Sequence, residues 1–313
     1  MENKIKLSII LVNWNCGQTI SDCLESLYVH IKDINYEIIV VDNNSTDGSR
    51  EYIEKHFPQV VLIKNDFNNL FAGANNQGYQ IARGEYIWIL NSDTRLFENS
   101  IEKMIGFLDD PKIGAVTCKL LNQDGSTQYY MHRKFPTYIR MVLSFVHRGF
   151  RFFKPPAIQG YLYLRNDFQK NFYIEQPAGV CILMKREVIE KVVGLFDEKN
   201  FSLFFNDVDV SYRLHIFGYL ILCVCNTSIF HSKGQSTNKL GFFANKYYYI
   251  PSALLFFKKH NLYKDFYLSK ISYTILFIII GLHSSLLFLT GFINFNVYKE
   301  RILLVKTIIQ TGY

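Results

Sequence analysis

A chain of 313 residues, 49% hydrophobic and 19% charged, is too long and too apolar for disorder and holds enough material for one large domain or two smaller ones. Its six cysteines, at 16, 23, 118, 181, 223 and 225, include no CxxC pair, which excludes a zinc ribbon or a thioredoxin-like redox site. The net charge of +7 is uneven: residues 131–170 carry 8 basic side chains against 1 acidic, residues 232–313 carry 10 against 2, and the first 130 residues are net acidic.

Along the chain, Lys6–Trp14 contains the apolar run LSIILVN, the pattern of a buried parallel strand. MENKIKLSIILVNWN is too short in its apolar part for a signal peptide, so the expectation is a cytosolic catalytic part with reduced thiols. Residues 18–31 have helical spacing in Ile20, Cys23, Leu24, Leu27 and Tyr28. Tyr36–Val41 reads as a second strand, Ser49–His56 as a helix, Val60–Lys64 as a third strand, residues 68–83 as Asn/Gly-rich and then helical, and Glu85–Leu90 as a fourth strand. This alternation predicts an α/β fold with a mostly parallel sheet flanked by helices.

Ligands of such sheets lie beyond the carboxyl ends of the strands. Three polar clusters fall there: Asn13-Trp14-Asn15, Asp42-Asn43-Asn44 and Asn91-Ser92-Asp93. Each taken singly is ordinary turn chemistry. Together, and without a Lys or Arg among them, they suit a site that reads hydroxyls and a base and leaves a carboxylate for a cation. No GxGxxG follows the first strand and no GxxxxGK[ST] occurs, so neither a dinucleotide fold nor a P-loop has support.

The segments LSIILVNWN, IIVVDNNSTDGS, NLFAGANNQGYQIARGEYIWILNSDT, PAGVCILMKREVIEKVVGLFDE, FFNDVDVSYRL and FHSKGQST occur in this order. As a set they resemble bacterial family 2 glycosyltransferases of the rhamnosyltransferase-like branch, which build surface polysaccharides such as O-antigen or capsule. The resemblance covers about residues 5–240 and implies a GT-A fold, a Rossmann-like sheet with a nucleotide-sugar half (1–130) and an acceptor half (131–240). Residues 241–313 would follow as a basic, hydrophobic, membrane-associated helical region. The implied activity is inverting transfer from a nucleoside diphosphate sugar, dTDP-rhamnose or next a UDP-hexose, to a lipid-linked saccharide, with Mg²⁺ or Mn²⁺.

The resemblance also assigns residues. Asn13 and Asn15 would line the nucleobase pocket, and Asp42, with Asn43 beside it, would contact base or ribose. Gly73 would let the backbone pass close to the nucleoside, and Asn76 would start a helix there and reach the donor. Asp93 stands as the last residue of a DxD-type metal motif whose first position here is Asn91. A hard divalent ion needs only one or two protein carboxylates. His231 is a second candidate metal ligand, with Lys233 and Ser236 as helpers. The acceptor hydroxyl needs one base, and the family's Glu-Asp pair maps to Asn206-Asp207, giving Asp207 that role. If the stretch opens a helix, Asp209 turns away from it. Gln176-Pro177-Ala178-Gly179 resembles an acceptor-side loop, and Asp197 is given no catalytic role.

Ile271–Ile293 is free of Asp, Glu, Lys and Arg over 23 residues, long enough to cross a bilayer. Lysines flank it on both sides, so a span, a hairpin and an interfacial pair of helices all remain open. Residues 137–153, with Arg140, Arg148 and Arg151 among large apolar groups, make a second candidate membrane contact. Both basic blocks suit an anionic membrane better than nucleic acid. The expected location is therefore the cytoplasmic face of the cell membrane, with no nucleic-acid partner. Two rivals stay open: a nucleotidyltransferase, and a non-catalytic nucleotide-sugar-binding protein of the same fold.

Overall fold

The computed structural model describes residues 4–149, 155–232, 241–290 and 294–311. Strands β1 (Leu7–Asn13), β2 (Tyr36–Asp42), β3 (Val61–Lys64) and β4 (Tyr86–Leu90) alternate with helices α1 (Gln18–His30), α2 (Ser49–His56) and α3 (Leu70–Ile81). The strands lie parallel in the order β3-β2-β1-β4. The second half adds β5 (Thr94–Arg95), α4 (Ser100–Ile105), β6 (Ile113–Leu121), α5 (Tyr138–Gly149), α6 (Pro156–Tyr161), β7 (Phe172–Ile174), β8 (Cys181–Lys185), α7 (Arg186–Lys191), α8 (Asn206–Ile216) and β9 (Leu220–His231). Here the sheet is mixed: β8 runs antiparallel to both β4 and β6, β6 lies parallel to β9, and β5 and β7 pair antiparallel with β9.

Two-sided burial explains the continuous apolar runs. Ile9 and Trp88 face one core cluster with Leu24 of α1, while Ile10 and Ile89 face the other with Ala74 of α3. Alternate side chains of a strand leave opposite faces, so a strand covered on both must be apolar throughout. Helix α3 comes close because Gly78 has no side chain; a Cβ there would lie 2.6 Å from Ile10 Cγ2.

The C-terminal region forms α9 (Gly241–Lys259), α10 (Tyr263–Leu289) and α11 (Phe295–Gln310). It shares a core with the segment that leads into α8, where Phe201, Phe205 and Val208 pack with Leu254, Phe256 and Phe257. A polar lock closes this contact. Asp209, wholly buried, accepts from Arg213 Nε at 2.9 Å, Lys259 Nζ at 2.7 Å and His260 Nε2 at 2.9 Å, and Lys259 also reaches Asp197 at 2.8 Å. Burial alone would raise the Asp209 pKa, but His260, Arg213 and Lys259 outweigh it and hold the carboxyl below its ordinary value. Asp209 therefore stabilises the fold at neutral pH, and that contribution fades only as acid titrates it below the normal aspartate range.

Helix α10 begins eight residues before the predicted apolar segment and ends at Leu289, while residues 291–293 lie outside the described part. Among the described residues it is the one helix long and apolar enough to cross a membrane, and only 17% of its apolar window is buried. Helix α11 folds back along it: Arg301 Nη1 donates to Ser284 Oγ at 3.2 Å and Lys270 Nζ to the Thr311 carbonyl at 2.9 Å.

Substituting Asp209→Asn leaves Arg213, Lys259 and His260 around a neutral amide. The expected loss is about 3–5 kcal/mol of stability, read as a lower urea midpoint with an unchanged slope.

Candidate active site

The carboxyl ends of β1 and β2 meet in register, with Asn13 opposite Asp42. Asn13 Nδ2 lies 2.7 Å from Asp42 Oδ1, 2.9 Å from Ser49 Oγ and 3.2 Å from Ser45 Oγ. The other Asp42 oxygen accepts from the Ser45 amide at 3.0 Å. Asn43 donates to the Leu70 carbonyl at 3.1 Å and accepts from Asn65 Nδ2 at 2.9 Å. These three buried side chains set the shape of the loop that carries them. Asn15 is half-buried at a left-handed φ of 54°, and its Oδ1 accepts from the Thr46 amide at 2.7 Å, clasping the β1 loop to the β2 loop.

Gly73 lies inside α3, where a Cβ would sit 3.2 Å from the Asn69 side chain. Asn76 does not start this helix, as the sequence suggests; α3 begins six residues earlier, at Leu70, which stands at a left-handed φ of 56°. From mid-helix, Asn76 donates to the Phe196 carbonyl at 2.9 Å and to Glu198 Oε2 at 2.8 Å, and accepts from the Phe196 amide at 3.1 Å. It thus holds the loop at 196–198.

Asp93 and His231, far apart in sequence, come together because β5 pairs with β9 so that Thr94 faces His231. His231 Nε2 lies 3.4 Å from Asp93 Oδ1. Gln128 sets the ring. Its Nε2 donates to the carbonyls of His231 at 2.8 Å and Leu121 at 3.2 Å, so its Oε1, 3.0 Å from His231 Nδ1, must accept. In the neutral ring the proton then sits on Nδ1, and the Nε2 lone pair faces Asp93. Asp93 Oδ1 is buried and accepts no hydrogen bond. In that tautomer a carboxylate oxygen and an imidazole nitrogen converge as a donor set that fits a cation, and the Gln128–His231 bond is of the kind that orients a metal-ligating imidazole. No cluster of three or more His, Cys, Asp or Glu occurs among the described residues, so further ligands would be substrate oxygens or water. Lys233 and Ser236 lie outside the described residues.

Asp207 is the second residue of α8, directly behind Phe205, which stands at φ 67° as the helix N-cap. A bulky residue in that region stores strain, here held by packing on Tyr249 and Phe256. Asp207 Oδ2 accepts from the Gly179 amide at 3.1 Å and Oδ1 from the Val208 amide at 2.9 Å, with the Gln176 side chain adding a further bond. Burial pushes its pKa above the ordinary aspartate value; the two amides, Arg133 and Gln176 oppose this without cancelling it. Asp209, two residues on, points into the Lys259 lock.

Gly179 links the two centres. It touches Asp207, and the next residue, Val180, accepts from the Asn91 amide at 2.9 Å, two residues before Asp93. Both aspartates therefore sit around one end of the β4–β8 pair. Sequence reasoning passed over Gln128, Arg133 and the side chain of Gln176. Gln128 carries no local signal, while Arg133 stood only as one charge in a basic block.

The family model described as Glycosyl transferase family 2 matches residues 8–193. The O-antigen biosynthesis protein RfbC of Myxococcus xanthus is 25% identical over 234 residues, covering 74% of this chain and 18% of that protein. The chain thus spans under a fifth of that relative's length. An N-acetylglucosaminyl-diphospho-decaprenol L-rhamnosyltransferase of Mycobacterium tuberculosis is 25% identical over 255 residues, covering 74% of this chain and 78% of that one. Among solved structures, the mannosyltransferase PcManGT of Pyrobaculum calidifontis, in complex with GDP-Man and Mn²⁺, matches with a TM-score of 0.55 at 16% identity, covering 100% of this chain and 88% of that one. That likeness is one of fold, and the fold is the expected GT-A architecture. Since the family model spans more than half of the sequence and the sheet has the matching architecture, the chain belongs to glycosyl transferase family 2.

Proposed function

We propose that the protein transfers a sugar, with rhamnose as the favoured group and a UDP-hexose the alternative donor, from a nucleoside diphosphate to a hydroxyl of a lipid-linked saccharide in surface polysaccharide assembly. The observation that carries this reading is Asp207: a carboxylate with a raised pKa, at a helix start, around the same sheet end as the Asp93–His231 pair. Asp207 takes the proton of the acceptor hydroxyl as its oxygen bonds to the anomeric carbon. The bond from that carbon to the diphosphate breaks, its electron pair leaves with the diphosphate, and the configuration inverts.

Asp93 and His231 are the residues that would hold Mg²⁺ or Mn²⁺, and such an ion supplies charge neutralisation for a diphosphate. Asn13, Asp42 and Asn43 shape the loop for the base and ribose, Asn15 clasps its two sides, and Gly73 and Asn76 support the wall formed by α3. The rhamnosyltransferase relative supports rhamnose as the group moved and a lipid diphosphate as the acceptor's anchor. Helix α10, with Ile271, Ile275, Ile279 and Leu282 exposed, supplies an apolar surface for the membrane. The site would then work at the cytoplasmic face.

Asp207→Asn is expected to lower turnover about 10²–10⁴-fold with little change in donor affinity, measured as nucleoside diphosphate release in detergent. Wild-type rate rises with pH through a limb set above the ordinary aspartate range, because the base works only when ionised, and the Asn variant lacks that limb. Full activity in the variant would remove Asp207 as base.

Chelation should silence the wild type, and added Mn²⁺ should restore it. Gln128→Leu, which frees the His231 ring, is expected to raise the Mn²⁺ concentration for half-maximal rate about 10–100-fold. Membrane attachment is tested by flotation with phosphatidylglycerol vesicles: the full chain floats, and Ile275→Glu/Ile279→Glu protein stays in the soluble fraction while its melting temperature holds.

A further inference from the structure

The acceptor side of the site carries a cation that the transfer chemistry above does not use. Arg133 and Gln176 exchange both backbone hydrogen bonds, each at 3.0 Å, as an isolated antiparallel bridge. Residues directly opposite in such a bridge send their side chains to the same side. Gln176 reaches Asp207, so Arg133 lies on the Asp207 side as well, within electrostatic reach of that carboxylate. No ion pair joins Arg133 to Asp207 among the described residues; the guanidinium donates from Nε to the Tyr130 carbonyl at 3.3 Å and bonds to the phenol of Tyr161, a buried residue of α6. With the Tyr161 oxygen accepting from Arg133, its hydroxyl proton is directed to a further acceptor. Tyr249 of α9 brings a second phenol to the same guanidinium.

From Arg133 the chain runs directly to the apolar helix. The Tyr138 amide donates to Asp265 Oδ1 at 2.7 Å and its phenol pairs with Ser272 Oγ at 2.9 Å, both on α10. The order in space is carboxylate base, guanidinium with two phenols, apolar helix. A saccharide on a lipid diphosphate has the same order: hydroxyl, sugar ring, diphosphate, hydrocarbon chain. Arginine's planar fork matches phosphate oxygens two at a time.

We propose that Arg133, with Tyr161 and Tyr249, is the subsite that receives the diphosphate of a lipid-linked acceptor and so sets its hydroxyl against Asp207. The donor diphosphate would instead meet the divalent ion that Asp93 and His231 would hold. This inference rests on the transfer reading and deepens it by assigning the residues that select the acceptor's anionic link.

Binding without turnover tests it. Full-length protein in phosphatidylcholine nanodiscs, with EDTA present to empty any metal-dependent diphosphate site, is titrated with farnesyl diphosphate, farnesol and inorganic pyrophosphate. Wild type should bind farnesyl diphosphate about tenfold or more tightly than either other probe, the size expected for charge-assisted hydrogen bonds. Arg133→Met should erase the margin over farnesol. Arg133→Gln, which is shorter but keeps a hydrogen-bonding end without charge, should erase it too, so that the loss does not depend on an apolar replacement. A margin that survives in both variants overturns the subsite. Pyrophosphate binding as tightly as farnesyl diphosphate, and with the same dependence on Arg133, overturns the lipid-linked assignment. Because no sugar moves in this assay, its failure leaves the Asp207 experiment standing, and the reverse also holds.

Discussion

One register decides what this sheet edge can do. Because β5 lies antiparallel to β9 with Thr94 opposite His231, a carboxylate from the end of β4 and an imidazole from the end of β9 are forced into a shared space. Gln128 then removes the freedom that remains, by fixing which ring nitrogen carries the proton. A buried carboxylate oxygen without a hydrogen bond and an imidazole nitrogen are thereby held at one place by the strands that carry them.

Asp207 and Asp209 show how closely spaced carboxylates acquire different characters. They sit two residues apart on one helix, so the helical turn sends them to different surroundings. Asp209 gains Arg213, Lys259 and His260 as partners and becomes part of the framework. Asp207 keeps only amides, a glutamine and a more distant guanidinium, too little to offset its burial, and so remains basic enough to accept a proton. The C-terminal helices are tied to the same helix: the lock that gathers Lys259 and His260 begins two residues from Asp207.

The parallel half of the fold was legible from the sequence. The runs at 7–13, 36–42 and 86–90 are apolar throughout because both faces are covered, and the polar residues that end them mark the ligand-facing edge. The antiparallel insertion of β8 between β4 and β6 was not legible, since local periodicity carries no information on which distant strand becomes a neighbour. The same holds for side chains. The sequence places Asn13 at a strand end, but only the fold reveals that its amide is surrounded by Asp42, Ser45 and Ser49. The basic blocks misled in one respect: Lys259 was counted as a membrane-flanking charge, whereas the fold turns it inward onto Asp197 and Asp209. Charge counts record composition, and burial decides which charges reach the surface.

Lys259 bridges two loops with different duties. Asp209 belongs to the helix that carries Asp207, while Asp197 belongs to the loop that Asn76 fastens to α3. The end of α9 therefore grips both segments at one ammonium group. A displacement of either segment pulls on the same cation, so the α10–α11 hairpin that continues from α9 is coupled to the helix of Asp207 through a single shared charge.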